Sequence, residues 1–234
     1  MARQSRRGSI LKRKSDSEMK DAAPSPRTRV RRLHEKAAYD RSVIEAILDA
    51  MPVAHVGHII DGFPVVIPTL QWREGDRIYW HGSSASRMQK GATAQQVCVT
   101  VTLTDGIVLA RSGLEHSVNY RSVMVFGEAT LVEGDTAKTA HLRTMMEQLF
   151  PGRWDQLRPI TPQELKATRI LSLPLTEASA KVSAGPPVDP PEDRDWPVWA
   201  GVIPIRLTVG TPEPAPDLAP GIPVPDHANS YRIG

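Results

Sequence analysis

Residues 76–127 read DRIYWHGSSASRMQKGATAQQVCVTVTLTDGIVLARSGLEHSVNYRSVMVFG, and the fold turns on this stretch. Three β-prone runs, 77–81, 97–103 and 122–126, are separated by polar connectors that contain glycine. The connectors concentrate hydrogen-bond donors, among them His81, Ser83, Ser86, Arg87, Tyr120, Arg121 and Ser122. Hydroxyls, guanidinium groups and backbone N–H groups at strand ends match phosphate oxygens in charge and geometry. The stretch therefore predicts a cofactor site on a β-barrel.

Working upstream, residues 34–50 predict a helix, with Asp40 as cap and Val43, Ile44, Ile47 and Leu48 as the apolar stripe. Pro52 stops it. Strands are expected over 53–60 and 64–70, joined by Asp61-Gly62, a strong hairpin signal. After the turn 73–76 comes the strand that ends at His81. Residues 84–91 suit a short helix whose N-terminal N–H groups, with Arg87, would converge on a phosphate. Strands follow over 95–104 and 107–111, with Asp105-Gly106 as a second hairpin signal. A further strand runs from Tyr120 to Val132, and Gly127 within it marks a bulge or a close approach of another backbone.

Downstream, Asp135 caps a helix to Leu149, and Thr161-Pro162-Gln163-Glu164 is a helix-start pattern. Strands over 169–175 and 179–185, the latter carrying Lys181, complete the set. From Pro186 the chain is proline-dense and reads as an extended segment clamped at Trp196, Trp199 and Ile203. The class is mainly β with flanking helices (α+β), with six to seven antiparallel strands closing into a barrel.

Charge divides the chain. Residues 1–33 hold eleven Lys and Arg against three acids, whereas the whole chain is only +3, so the remainder is net acidic. The domain expectation is a disordered basic tail over 1–33, a barrel domain over 34–210 and a frayed C-terminal tail over 211–234. Nucleic acid is not an expected partner of the folded part. The tail suits nucleic acid, an anionic surface, or nuclear or organellar targeting, and a role-free solvated tail fits equally. The single Cys98 rules out an intramolecular disulfide and, placed in an alternating run, reads as a small buried thiol. No window is apolar enough to span a membrane, and a cytoplasmic setting is expected.

The motifs exclude several chemistries. GxGxxG, P-loop and nucleophile-elbow patterns are absent. His55 and His58 are three apart on a strand and face opposite sides, so no metal site is read there. His81 is either a substrate-facing acid/base or a hydrogen-bonded strand-end histidine. Arg111 and Arg121 are either ligand contacts or partners of acids such as Glu115 and Glu128. Trp196 and Trp199 are assigned to covering apolar barrel surface, with flavin stacking as the alternative.

Several motifs together resemble the pyridoxamine 5′-phosphate oxidase-related FMN-binding split β-barrels, in particular the flavin-nucleotide-binding and nitroimidazole-resistance-like branch. They are Asp61-Gly62-x-Pro64 with Ile67-Pro68-Thr69, Tyr79-Trp80-His81-Gly82-Ser83 with Ser86-Arg87, and Asn119 to Gly127; the run 109–122 and the segment 179–204 add to the match. The resemblance implies a homodimer with FMN at two interfacial sites, although FAD, a deazaflavin or haem stays open. It implies that Ser83, Ser86 and Arg87 contact the phosphate and that Pro68 and Thr69 run along the isoalloxazine ring. Tyr120, Arg121 and Ser122 complete the site from the partner subunit, Lys181 is a phosphate or flavin-edge contact, and His81 faces the substrate. The implied function is an FMN-dependent oxidoreductase acting on a small organic substrate such as a nitro compound. The alternative is a non-catalytic flavin- or haem-binding protein for storage, sensing or detoxification. Met88 departs from the Lys that follows Ser-Arg in oxidase-type members, which argues against pyridoxamine phosphate oxidation.

Overall fold

The computed structural model describes residues 23–86 and 92–234. In chain order its elements are β1 (Ala37–Ala38), α1 (Arg41–Ala50), β2 (Val53–Ile60), β3 (Phe63–Glu74), β4 (Arg77–Ser83), β5 (Gln96–Leu109), β6 (Ser117–Glu128) and β7 (Thr130–Leu131). Then come α2 (Asp135–Leu149), α3 (Pro162–Ala167), β8 (Thr168–Pro174), β9 (Ala178–Ser183), β10 (Gly201–Pro204) and α4 (Asp226–Asn229). The strands form one sheet in the order β1-β9-β6-β5-β2-β3-β4-β8-β7, with β10 added to β5. Every ladder is antiparallel. Because β7 continues β6 after Ala129, the path closes on itself. Gly127 sits at this crossing, with φ 156, and a Cβ there would lie 3.0 Å from Leu173. The expected split β-barrel is what the chain forms.

The barrel interior holds Val56, Ile78, Trp80, Val99, Val101, Val123, Leu171 and Leu173, and α1 closes one mouth with Ile44, Ile47 and Leu48. Strict alternation along β5 puts Val97, Val99, Val101 and Leu103 inside. A second core lies outside the barrel, where α2 and α3 cover Trp72, Tyr79 and Ile170 with Leu142, Met145 and Leu165.

Four expectations change. The helix read over 34–50 is confined to Arg41–Ala50; before it, His34–Lys36 is a 3₁₀ turn and Ala37 and Ala38 pair with Lys181 and Ala180. The open edge of β9 offers those residues a ladder, which overrides their helix propensity. Asp105-Gly106 is not a hairpin. β5 runs through it with a bulge between Thr104 and Gly106, and the chain reverses only at residues 110–116. Gly106 is required by a neighbour, since a Cβ there would lie 2.9 Å from Val202 and 3.0 Å from the Ile203 carbonyl. Trp196 and Trp199 do not cover the barrel: they are 67% and 65% exposed. Finally, residues 84–86 form a turn, and the rest of the helix expected over 84–91 lies outside the described residues.

The Asp61-Gly62 hairpin forms as expected, with both residues at positive φ, 51 and 81. The Thr161–Glu164 capping box is complete in both directions. Segments outside the predicted domain run back onto it. Ser25 hydrogen-bonds Glu177, Arg27 reaches Gln96 and Thr28 is buried. At the other end Tyr231 stacks on Phe150, and the Gly234 amide donates to the Ala50 carbonyl at 2.9 Å. Among the described residues no helix is long and apolar enough to cross a membrane.

Candidate functional site

The barrel splits between β3 and β4. Their ladder covers only Gln71–Trp80 through Glu74–Arg77. Residues 63–70 of β3 pair with β2 on one edge, and residues 81–83 of β4 pair with β8 on one edge. Beyond Gln71 and Trp80 the two facing edges are therefore unladdered, and the last link between them is the Thr69 hydroxyl donating to the His81 carbonyl at 3.4 Å. An unladdered pair of strand edges leaves backbone polar groups that need another partner.

The predicted residues gather at this split in part. Pro68 and Thr69 form one lip; His81 and Ser83 form the other; the turn 84–86 follows directly. Antiparallel partners share a face, so register decides which side chains look outward. Pro68 pairs with His55, His55 with Thr100, and Thr100 with Met124. Two residues along, Thr102 pairs with Ser122 and Ser122 with Lys181, while Thr104 pairs with Tyr120. Trp72 pairs with Tyr79, two before His81. Pro68, His81, Ser83, Tyr120, Ser122 and Lys181 thus fall on the outer face of one continuous sheet. Thr69 and Arg121 carry the opposite parity. Within one chain, β2 and β5 separate the Pro68 group from the Tyr120 group.

The turn holds fewer free amides than a helix start would. Ser84 N–H donates to the Ala167 carbonyl at 2.7 Å, Ala85 N–H to Ser83 Oγ at 3.2 Å and Ser86 N–H to the Ser83 carbonyl at 3.0 Å. Among the described residues, an anion here would meet hydroxyls rather than a cradle of N–H groups. Arg87 lies outside the described residues. Arg121 is engaged by a bidentate pair with Asp105, at 2.9 and 2.8 Å, not by Glu128. Arg111 pairs with Asp189, not Glu115, through both its N–H and Nη1 at 2.7 Å. Asp105 sits at the β5 bulge and Asp189 on the proline-rich segment, so neither partner was readable from spacing. The Lys181 Nζ donates to the Arg32 carbonyl at 3.2 Å.

His81 is half-buried beside the Trp72 ring, 6.1 Å between centroids. Its Nδ1 is buried without a hydrogen-bond partner among the described residues. Burial pushes its pKa below the ordinary histidine value, so the ring is neutral at pH 7. A second imidazole, His58, is 5% exposed; the Val56 backbone beside its ring works to raise its pKa, but burial outweighs it and lowers the pKa. His55, by contrast, is exposed on the outer face, as alternation requires.

Sequence reasoning missed the apolar character of that outer face. Phe63, Val66, Ile59, Val53 and Met124 are exposed there or at its edge, Phe63 to 72% and Val66 to 65%. The signal was present as branched residues at both parities of β2 and β3, the pattern of a strand destined for cover on both sides.

The model of the family described as pyridoxamine 5′-phosphate oxidase matches residues 40–182. The chain belongs to this family. Among solved members and neighbours, flavocytochrome Anf3 from Azotobacter vinelandii is 50% identical, with a TM-score of 0.88, covering 91% of this chain and 99% of its own. The FAD and heme binding protein from Mycobacterium smegmatis is 36% identical, with a TM-score of 0.80, covering 84% of this chain and 97% of its own. A 5-nitroimidazole antibiotic resistance protein (so described putatively) from Bacteroides thetaiotaomicron, 21% identical at a TM-score of 0.51, covers 62% of this chain and 86% of its own and shares the fold. No curated protein matches the chain.

Proposed function

We propose that this protein is a flavin-binding redox protein that works as a homodimer, with the flavin ring against the split. The observation that carries the reading is the pair of unladdered edges, residues 63–70 and 81–83, followed directly by the Ser84–Ser86 turn and Arg87. A planar heterocycle with hydrogen-bonding edges suits such a gap, because its ring atoms take up the vacant backbone groups. Pro68 and Thr69 would flank the ring, and Ser83, Ser86 and Arg87 would hold phosphate. Tyr120, Ser122 and Lys181 lie too many strands away in the same chain, and a second copy seated on the open apolar face would supply them. Arg121 enters this site only by leaving Asp105.

A flavin, when bound, supplies one- and two-electron transfer. This chain's own residues bind it, orient it and exclude water from it. Neutral His81 presents an uncharged imidazole at the lip, able to hydrogen-bond a bound group or ligate a metal, and its unpartnered Nδ1 is the orphan atom that favours such a role. Haem is the second reading, favoured by that histidine and by the flavocytochrome and FAD-and-heme-binding relatives. Those relatives also favour FAD over the FMN expected from the wider family, and electron transfer over turnover of a nitro compound.

Purifying the full chain, recording its absorbance and identifying the released flavin by chromatography tests this reading. Flavin bands near 370 and 450 nm are expected (about those wavelengths for any flavin), with a Soret band if haem is also held. A colourless protein that ignores added FMN, FAD and hemin would sink it.

A further inference from the structure

The segment after β9 is stapled at both ends. At its start, Asn119 Nδ2 donates to the Gly185 carbonyl at 2.9 Å, and buried Asp189 accepts from the Arg111 amide and guanidinium. At its end, β10 pairs with β5 from Gly201–Leu109 to Pro204–Gly106. Between the staples, residues 190–200 form a loop that carries Trp196 and Trp199, 67% and 65% exposed. Trp199 is held in place, since its ring lies where a Cβ on Gly201 would be, 2.8 Å from Cζ2. The benzo edge of the indole packs against Gly201, and 65% of the residue remains open to solvent. Two large exposed aromatic side chains on a loop anchored at both ends suit a planar, apolar partner.

We infer that Trp196 and Trp199 form the stacking platform for the adenine ring of a flavin dinucleotide. The inference rests on the flavin reading above. The loop is rooted beside Tyr120, Ser122 and Lys181, because Tyr120 pairs with Ser183 just before the first staple. In a homodimer with sites across the interface, that group meets the split of the opposite copy, and the platform travels with it. The isoalloxazine ring belongs to the split, which leaves the adenine as the planar part for the loop. Glu192, Asp193 and Asp195 outnumber Arg194, so the tip is net acidic and favours the uncharged base over phosphate there.

The test is calorimetric titration of flavin-stripped full-length protein with FAD, FMN and ADP. The wild type is expected to bind FAD at least about tenfold more tightly than FMN, and ADP is expected to quench tryptophan emission. In Trp196→Ala/Trp199→Ala the FAD affinity falls about ten- to hundredfold, the range for losing a base stack, while the FMN affinity holds. Trp196→Phe/Trp199→Phe keeps most of the preference. FAD and FMN affinities that fall together, or an unchanged ratio in the alanine variant, would overturn the platform. A wild type that binds no flavin overturns the parent reading instead.

Discussion

Burying an imidazole with an unpartnered nitrogen costs about 1–3 kcal/mol; His81 does this at Nδ1, and His58 is buried with only the Val56 backbone beside its ring. Each has a folded pKa below its ordinary value of 6.5, so the unfolded chain binds the proton first as pH falls. Stability from these two sites is intact above that value and is lost as pH drops through the window between it and the lower folded pKa. His58→Leu should flatten the acid limb of a urea-midpoint against pH profile and leave stability at pH 7 unchanged or raised. An equally steep limb would locate the acid sensitivity elsewhere. His81→Ala should leave flavin bound while slowing its reduction, or shift the Soret band if haem is present; unchanged kinetics and spectra would make His81 purely structural. Arg87→Ala should weaken flavin binding by about 1–3 kcal/mol, the range for a charge-assisted contact. Fluorescence titration checks this, and equal affinity removes Arg87 from the site. His81 and the Ser-Arg pair are singled out as candidates by the motif that surrounds them. The partners of Arg111 and Arg121 were not readable there, because Asp105 reaches Arg121 through the β5–β6 ladder and Asp189 reaches Arg111 from the segment after β9.

At the scale of elements, the β5 bulge links the barrel to β10. Gly106→Ala would push a methyl to within 3.0 Å of the β10 backbone. It should cost about 1–3 kcal/mol by overpacking, read as a lower urea midpoint, and loosen β10 before the barrel. Hydrogen exchange resolves the order: faster exchange confined to residues 201–205 and their β5 partners is the expected pattern. Asp105-Gly106 has the composition of a turn, and local chemistry alone supports that reading. What keeps the chain extended is lateral pairing on both sides, β6 along one edge and β10 along the other. The same competition converts 37–38 from helix to strand. Where no lateral partner competes, as at Asp61-Gly62 and the Thr161 capping box, local signals and structure agree.

Across the whole molecule, the distribution of exposed apolar surface stands out. One face of the closed sheet, with Val53, Ile59, Val66 and Met124, has no cover among the described residues. Patches of this kind mark interfaces, and light scattering should return twice the 25.7 kDa chain mass at micromolar concentration. Val66→Glu should shift that value toward the monomer and weaken flavin binding at the same time. A monomeric wild type would separate the outer-face residues of β6 and β9 from the split and remove the second half of the proposed site.

By itself the sequence determined the first hairpin, the Thr161 helix start, the barrel class and the family, because these follow from periodicity, turn chemistry and short motifs. Only the tertiary structure decided where the barrel splits, which predicted residues share a face, which arginines are already paired and that the tryptophans point outward. Those outcomes depend on register and on contacts between segments far apart in the chain. A one-residue difference in pairing turns a side chain to the other face, and no local propensity encodes it.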